Sequence, residues 1–474
     1  MLGVDIGTTR IKAGIVGADG RELAWGSVAT PWQRVPTGAE TRAEDLLAAV
    51  LQAAAAALEA APPGPVAGAG VTSMAETAVW LDASGRPCAP CIAWYDTRGE
   101  AEARRLEEVF GGEAFSQRTG LPVSPMCTLA KLALLSRERG KAPQRALSVA
   151  DWVVHALGGE QVSEASLASR TGALDVPTRQ WWEEAVQWSG AAATVFPPVV
   201  QAGHRAGEVG LEGALSLIAP APSRASVGVS DALGRLEGAA LAPAGHDHLC
   251  ASAGAGAIGT VQVLDSCGTA EALVRAVRPL DGPGLGRAVA AGIEAGWHTV
   301  PGCNALLMGT TLGMLLERVL KLLGKSGQGA LEDLDARAAG VGPGRLRVVS
   351  SGFFGDPTVE GLHAEVSPEA LWSAALDEVA SFAGGALGVI EGLAGPAEEL
   401  LLSGGWARCA GLRRRKTGLM RRVRWPLVVE AGARGAALFS GCAAGIFGGP
   451  AGFPEPEDRP LGLDGVAAAT SANA

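Results

Sequence analysis

Residues 245–257 read GHDHLCASAGAGA, with one aspartate, Asp247, between two histidines and ahead of a run of small residues. Two readings fit. Aspartate is a preferred helix N-cap and glycine permits close packing, so the segment could be purely structural. It could instead be half of a phosphate-handling site whose other half lies elsewhere in the chain. Three further segments bear on that choice: Asp5-Ile6-Gly7-Thr8-Thr9, Gly268-Thr269 and Gly404-Gly405. A turn whose backbone amides converge, with threonine hydroxyls beside them, makes an anion-binding concavity without a helix. Each segment alone is a common turn, but together, in this chain order, they suit three contacts to one nucleotide.

Other nucleotide signatures fail on context. Gly254-Ala255-Gly256-Ala257-Ile258-Gly259 has dinucleotide spacing, but that fingerprint needs a strand before it and a helix after it. The order here is reversed, which predicts helix packing followed by a turn. Gly324-Lys325-Ser326 imitates the end of a Walker loop, yet Val319 stands where the upstream glycine belongs, so a helix-ending loop is expected. Cys88 and Cys91 have redox or zinc spacing but no second pair to complete four ligands. The eight cysteines are expected to be free thiols.

The elements that must position these residues follow from periodicity and turn chemistry. Residues 1–30 alternate apolar runs of strand length with Gly7-Thr8-Thr9 and Ala18-Asp19-Gly20, predicting three strands. AEDLLAAVLQAAAAALEAA predicts a helix, PVAGAGVTS a buried strand, and Ala83-Ser84-Gly85 a second hairpin. GVDIGTTRIKAGIV at 3–16 and LDSCGTAEALVRAV at 264–277 share one pattern, with Gly-Thr at the same place, which predicts a duplicated α/β unit. Ser367-Pro368-Glu369 opens a long helix, EELLLSGG is a strand ending in glycine, and EAGARGAALFSGCAAGIFG is the last helical pattern.

Bulk properties bound the function. A chain of 474 residues exceeds one core, so two large domains are expected. Net charge of −10 argues against nucleic acid and anionic membrane as partners, and the run Arg413–Lys416 reads as a solvated helix face. The absence of a long uncharged apolar stretch, and of a signal-like start, predicts a cytoplasmic protein with no membrane partner.

Taken together, VDIGTTRIKAGIV, AWYDTR at 93–98, SEASLASRTGALD at 163–175, GHDHLCASAGAGA, DSCGTAEAL, LLLSGGWARC and EAGARGAAL resemble the FGGY family of carbohydrate kinases, of the actin-like ATPase superfamily, over residues 1–448. The resemblance implies an α/β fold of two actin-like (ribonuclease H-like) domains with an interdomain cleft. Residues 1–257 would bind sugar, 258–448 would bind ATP, and 449–474 would form a flexible tail. The implied reaction is ATP-dependent phosphorylation of a pentulose, hexulose or polyol, with Mg²⁺, and a homodimer is expected.

Under this resemblance Asp247 matches the general base, and Asp5 the carboxylate that organises Mg²⁺ through water. A carboxylate in the first helical turn should have its ionised form favoured. Gly7, Thr8, Thr9 and Lys12 match the first phosphate loop, and Gly268 and Thr269 the second. Gly309 lies in a segment lining the nucleotide cleft, though packing serves it equally. Gly404 and Gly405 match the adenine site, followed here by the unusual Trp406 and Cys409. Glu76, Trp94, Asp96, Arg98 and His248 fall where relatives contact the acceptor; Trp94 could also be core, and Asp96 with Arg98 a structural ion pair. Ala75-Glu76 departs from the Arg-Glu of glycerol kinases, and Ser73-Met74-Ala75 from the Gln-Met-His of many xylulose kinases. The competing reading is an actin-like ATPase serving as chaperone or sensor.

Overall fold

The structure, a computed structural model, describes residues 1–218, 232–268, 270–310, 312–325, 327–349, 357–362 and 365–461. Packing divides the chain into two units: unit 1 is Met1–Ile258, Val277–Ala305 and Glu430–Glu455, and unit 2 is Gly259–Ala276, Leu306–Val429 and Pro456–Ala474.

In unit 1, β1 (Leu2–Ile6), β2 (Arg10–Val16) and β3 (Glu22–Ala29) form the expected antiparallel run. Gly20, at φ 79°, supplies the left-handed residue of the second turn. Helix α1 (Ala43–Ala60) is built almost wholly of strong helix formers and buries Leu46, Leu47, Val50 and Leu51. It delivers the chain to β4 (Gly68–Ser73), parallel to β1 and buried at every position because both sheet faces are covered. After α2 (Thr128–Arg139) and the short β5 (Gly207–Glu208), β6 (Ala240–His246) adds parallel to β4, and α3 (Asp247–Ala255) leaves its end directly. The sheet order is β5-β6-β4-β1-β2-β3.

Unit 2 repeats the plan. β7 (Gln262–Cys267) and β8 (Glu271–Val277) form a hairpin, followed by β9 (Asn304–Thr310), α4 (Leu312–Leu322) and α5 (Pro368–Ala394). β10 (Glu399–Ser403) lies parallel to β7; α6 (Ala410–Lys416) leads to β11 (Val423–Arg424), parallel to β10. The order β9-β8-β7-β10-β11 matches β3-β2-β1-β4-β6 strand for strand. Gly7 and Gly268 thus occupy equivalent turns. Helix α5 is long and apolar enough to cross a membrane by length and composition. Its Leu371, Trp372, Ala375, Leu376 and Val379 are nonetheless buried in a core with Leu316, Leu334 and Leu412.

Three expectations are corrected. The packing units do not follow a split at 257/258, because residues 277–305 and the last helix, α7 (Ala431–Ala443), pack with unit 1. Small residues cause this: a Cβ on Gly3 would sit 1.9 Å from Ala433 O, on Gly70 2.0 Å from Ala436 O, and on Gly254 1.9 Å from Ala431 O. Backbone meets backbone, so α7 can lie only against the glycines of β1, β4 and α3. Second, residues 449–461 are docked rather than loose. Phe453 packs on Phe439 and Phe447, Pro454 O accepts from Arg434 Nη2 at 2.7 Å, and Asp458 accepts from Arg424 Nε at 2.8 Å; residues 462–474 lie outside the described range. Third, Arg413–Lys416 is not a solvated face. Arg413 stacks on Trp425 at 3.9 Å, Arg415 bonds Ser373 and Asp377, and Lys416 is fully buried.

Candidate active site

Register places the chemistry in a row at the carboxyl ends of parallel strands, where open α/β sheets form ligand sites. Lys12 pairs with Asp5, Asp5 with Thr72, and Thr72 with Gly245 across β2, β1, β4 and β6. The register shifts between Pro243 and Gly245, and Gly245 adopts φ 91°. A Cβ there would meet Ser166 Oγ at 2.5 Å and Glu164 Oε2 at 2.8 Å. Only glycine lets the strand turn here into α3, with Asp247 as the first helical residue.

Asp247 is not the N-cap; His246 is, and its side chain makes no capping bond. Asp247 Oδ1 instead accepts from His248 N at 2.7 Å, with His246 Nε2 3.2 Å away. Burial raises its pKa to about 7 despite that amide and the nearby Arg170 and Lys12 charges. The helix start therefore does not keep it as acidic as its position suggested, because loss of solvent outweighs the dipole. Burial, and next the Asp247 charge, likewise raises Asp5 to about 7. Burial holds His246 well below its usual pKa and lowers His248, so both are neutral near pH 7.

Asp5 is wedged by α7, since a Cβ on Gly432 would lie 2.4 Å from Asp5 Oδ2. Gly432→Ala is expected to push Asp5 aside and lower turnover about tenfold or more, with a stability loss of about 1–3 kcal/mol. Steady-state kinetics beside a melting curve check this, and an unaltered rate would show that the position of Asp5 is unimportant.

The Gly7–Thr9 turn is fastened from several sides. Gly7 N donates to Arg10 O at 3.1 Å, Thr30 Oγ1 to Gly7 O at 2.8 Å, Trp32 Nε1 to Thr8 O at 2.7 Å, and Trp94 Nε1 to Thr8 Oγ1 at 2.8 Å. Thr9 is exposed. Trp94 is half-buried and links this turn to the 93–98 loop. Lys12 Nζ reaches Glu430 Oε2 at 2.6 Å, so the charge expected for phosphate already has a partner.

Glu76 lies at φ 57°, a conformation L residues rarely adopt, beside a buried bridge. Arg170 Nε donates to its Oε1 at 2.6 Å, and Arg170 Nη2 to Glu294 Oε2 at 2.7 Å. Burial raises the Glu76 pKa in spite of Arg170. Beneath, fully buried Lys131 donates to Glu76 O, Ala93 O and Trp94 O at 3.2, 3.0 and 3.2 Å, tying the Glu76 and Ala93–Trp94 segments to α2. Burial lowers its pKa to about 8. His248 lies close enough to Glu76 and Asp5 to feel both charges.

Asp96 and Arg98 form the ion pair that was the alternative to an acceptor contact. Asp96 is fully buried; its oxygens accept from Arg98 N, Nε and Nη2 and from Thr37 Oγ1, and Arg98 Nη1 bonds Glu40 at 2.7 Å. They fasten the 93–98 loop.

Within unit 2, Gly404 at φ 91° would place a Cβ 2.6 Å from Cys267 O. The Gly404-Gly405 and Cys267-Gly268 turns therefore touch through backbone. Thr269 lies outside the described residues. Lys416 Nζ reaches Asp265 Oδ2 at 2.6 Å, Glu271 Oε1 at 2.5 Å and Cys267 Sγ at 3.3 Å, bracing the hairpin from beneath. Gly309 sits half-buried on β9 of the same sheet. Trp406 packs on Trp372, while Cys409 Sγ and Gly411 N both donate to Asp335, which anchors the start of α6.

Lys131, Arg170, Glu294, Glu430, Trp32 and Lys416 escaped the sequence reading. Lys416 left a trace, as the end of the basic run read as a solvated helix face. The others are distant in sequence from what they touch.

A sheet repeated in two α/β units, each with a Gly-containing turn after its first strand, is the actin-like, ribonuclease H-like architecture. Xylulose kinase from Lactobacillus acidophilus has this fold, superposing with TM-score 0.82 at 15% identity over 97% of this chain and 92% of that one. Residues 1–222 match the FGGY family of carbohydrate kinases, N-terminal domain. It is 30% identical over 194 residues to a gluconokinase of Bacillus subtilis (strain 168), covering 40% of this chain and 38% of that protein. A glycerol kinase of Xanthobacter autotrophicus (strain ATCC BAA-1158 / Py2) is 30% identical over 213 residues, 42% of this chain and 43% of that one. The chain spans about two-fifths of the length of the curated relatives it matches.

Proposed function

We propose that the protein transfers the γ-phosphoryl group of ATP to a hydroxyl of a sugar or polyol, with Asp247 as general base. The observation that carries this reading is Asp247 itself: a partly exposed carboxylate with a pKa of about 7, at the sheet edge beside Asp5 and the Glu76–Arg170–Glu294 cup. Phosphoryl transfer asks the protein mainly for alignment and charge neutralisation. The acceptor oxygen attacks phosphorus, Asp247 Oδ takes its proton, and ADP leaves. The Gly7–Thr9 turn, whose shape is held by Thr30, Trp32 and Trp94, would orient the transferred phosphate. Within unit 2, Gly268, Gly309, Gly404 and Gly405 would contact nucleotide.

Asp5 Oδ1 is buried and has no hydrogen-bond partner among the described residues, which fits an acceptor left for a hydrated Mg²⁺. When bound, that ion neutralises phosphate charge. The chaperone or sensor reading is not favoured, because a satisfied polar cup beside the base serves a small hydroxylated molecule. The same reading takes the compartment as the cytoplasm.

ADP release is expected only when a polyhydroxyl acceptor accompanies ATP. Because Asp247 must be ionised to accept a proton, the acceptor-dependent rate should climb as pH rises through about 7 and level above about 8. A rate independent of pH across that range would remove Asp247 as the base; ATP hydrolysis indifferent to any acceptor would remove the kinase assignment.

A further inference from the structure

We infer that the cup beside Asp247 admits a neutral ketose or polyol and excludes sugar acids, with the Glu76–Arg170–Glu294 bridge as the discriminating device; the inference rests on the kinase reading above. One relative is named a gluconokinase, so similarity alone does not make this choice. The charges do. A carboxylate ligand is held best by a cation with free, paired N–H donors. Arg170 is a cation placed beside the cup, and its Nε and Nη2 are taken by Glu76 and Glu294, so two acids meet one base in the bridge. Side-chain exposures of 8% for Glu76, 12% for Arg170 and 24% for Glu294 leave the bridge in reach of a ligand yet poorly screened.

Of the other charged groups, Arg179 lies near Glu164, over the Trp297 ring, and donates to Gln201 Oε1 at 3.3 Å, so it sets one cation against that acid. The Lys131 ammonium is spent on carbonyls beneath it, and Lys12 is matched by Glu430. His246 and His248 are uncharged near pH 7. No cation is added by Asp5 or Asp247, and the Glu164 carboxylate lies behind Gly245. Sugar hydroxyls can donate to these carboxylate oxygens, whereas an aldonate would bring another anion among them. Like charges set together are a recognised means of rejecting a wrong ligand.

The test is equilibrium binding by calorimetry on the full chain, which needs no turnover, with xylulose, ribulose, xylitol and glycerol against gluconate and galactonate. At least one neutral compound should bind about tenfold or more tightly than either acid. Glu294→Gln, which frees one side of Arg170, should tighten aldonate binding about tenfold while the neutral ligand changes less; Glu76→Gln should act in the same direction and serves if the first variant misfolds. An aldonate binding as tightly as the best neutral compound, no binding by either class, or no aldonate gain in both variants would overturn the inference. Selective neutral binding without ADP release would leave it standing and sink the kinase reading instead.

Discussion

Asp247→Asn is expected to lower acceptor-dependent ADP formation by about 10³-fold or more while ATP binding stays within a few-fold, since a general base is worth roughly 10²–10⁴ and the amide cannot take the proton. Fold should survive. Asn preserves the size of the side chain and its carbonyl can still accept from His248 N, the bond that Asp247 makes at 2.7 Å. Stability supplies a second readout with a definite sign. Asp5 and Asp247 each have a folded pKa raised to about 7, so the folded protein holds protons that the unfolded chain has released. Their contribution is fully present below the unfolded pKa near 4 and is lost as pH rises through about 7. The Asn variant should therefore melt no lower than the parent at pH near 8, and its melting temperature should depend less on pH between about 5 and 8. A variant that kept the parent's rate would remove the base assignment. One that lost activity and melted far lower would show that Asp247 is chiefly structural.

The second large effect is expected at Lys416→Met. Lys416 is fully buried against Asp265 and Glu271; although burial opposes its charge, those acids hold its pKa well above normal, while burial raises Glu271 to about 8. Removing one partner of a buried ion pair leaves the other uncompensated, at about 3–5 kcal/mol. Two carboxylates are stranded here. They can be accommodated only by taking up protons, so the loss should be smaller near pH 5 and grow as pH rises towards about 8. The hairpin carrying Gly268 stands on this cluster, and the Gly404 turn leans on Cys267, so nucleotide affinity should fall with stability. Melting curves across pH, with ATP titrations on the surviving fold, test the claim. Combining Lys416→Met with Glu271→Gln should recover part of the stability, because one of the two stranded acids is then neutral. No recovery, together with a loss independent of pH, would show that Lys416 acts through packing alone.

Strands, turns and helices were legible wherever local chemistry is sufficient. Asp19-Gly20 turns a chain wherever it stands. The alanine and leucine run of α1 is helical in almost any context, and the Ser367-Pro368 start is realised as a cap, with Ser367 Oγ accepting from Ala370 N at 3.2 Å. Duplication was visible because two Gly-Thr turns with the same flanking strands are a local pattern, and strand order confirms it. The nucleotide decoys were rejected for a similar reason. Gly256 is the left-handed C-cap of α3 at φ 88°, which is where a helix followed by a strand would put it.

What the chain order alone determined, then, is which segments turn, which extend, which coil, and that Asp247 stands at a strand-to-helix junction. Tertiary structure decided the rest, because pKa and pairing depend on groups far apart in sequence. Asp247 became an acid of about 7 through burial rather than a low-pKa cap. Asp96 and Arg98 became each other's partners, Lys12 met Glu430 from 418 residues away, and Arg170 was claimed by Glu76 and Glu294. Desolvation and Coulomb interactions act through space, and only the folded chain specifies those distances.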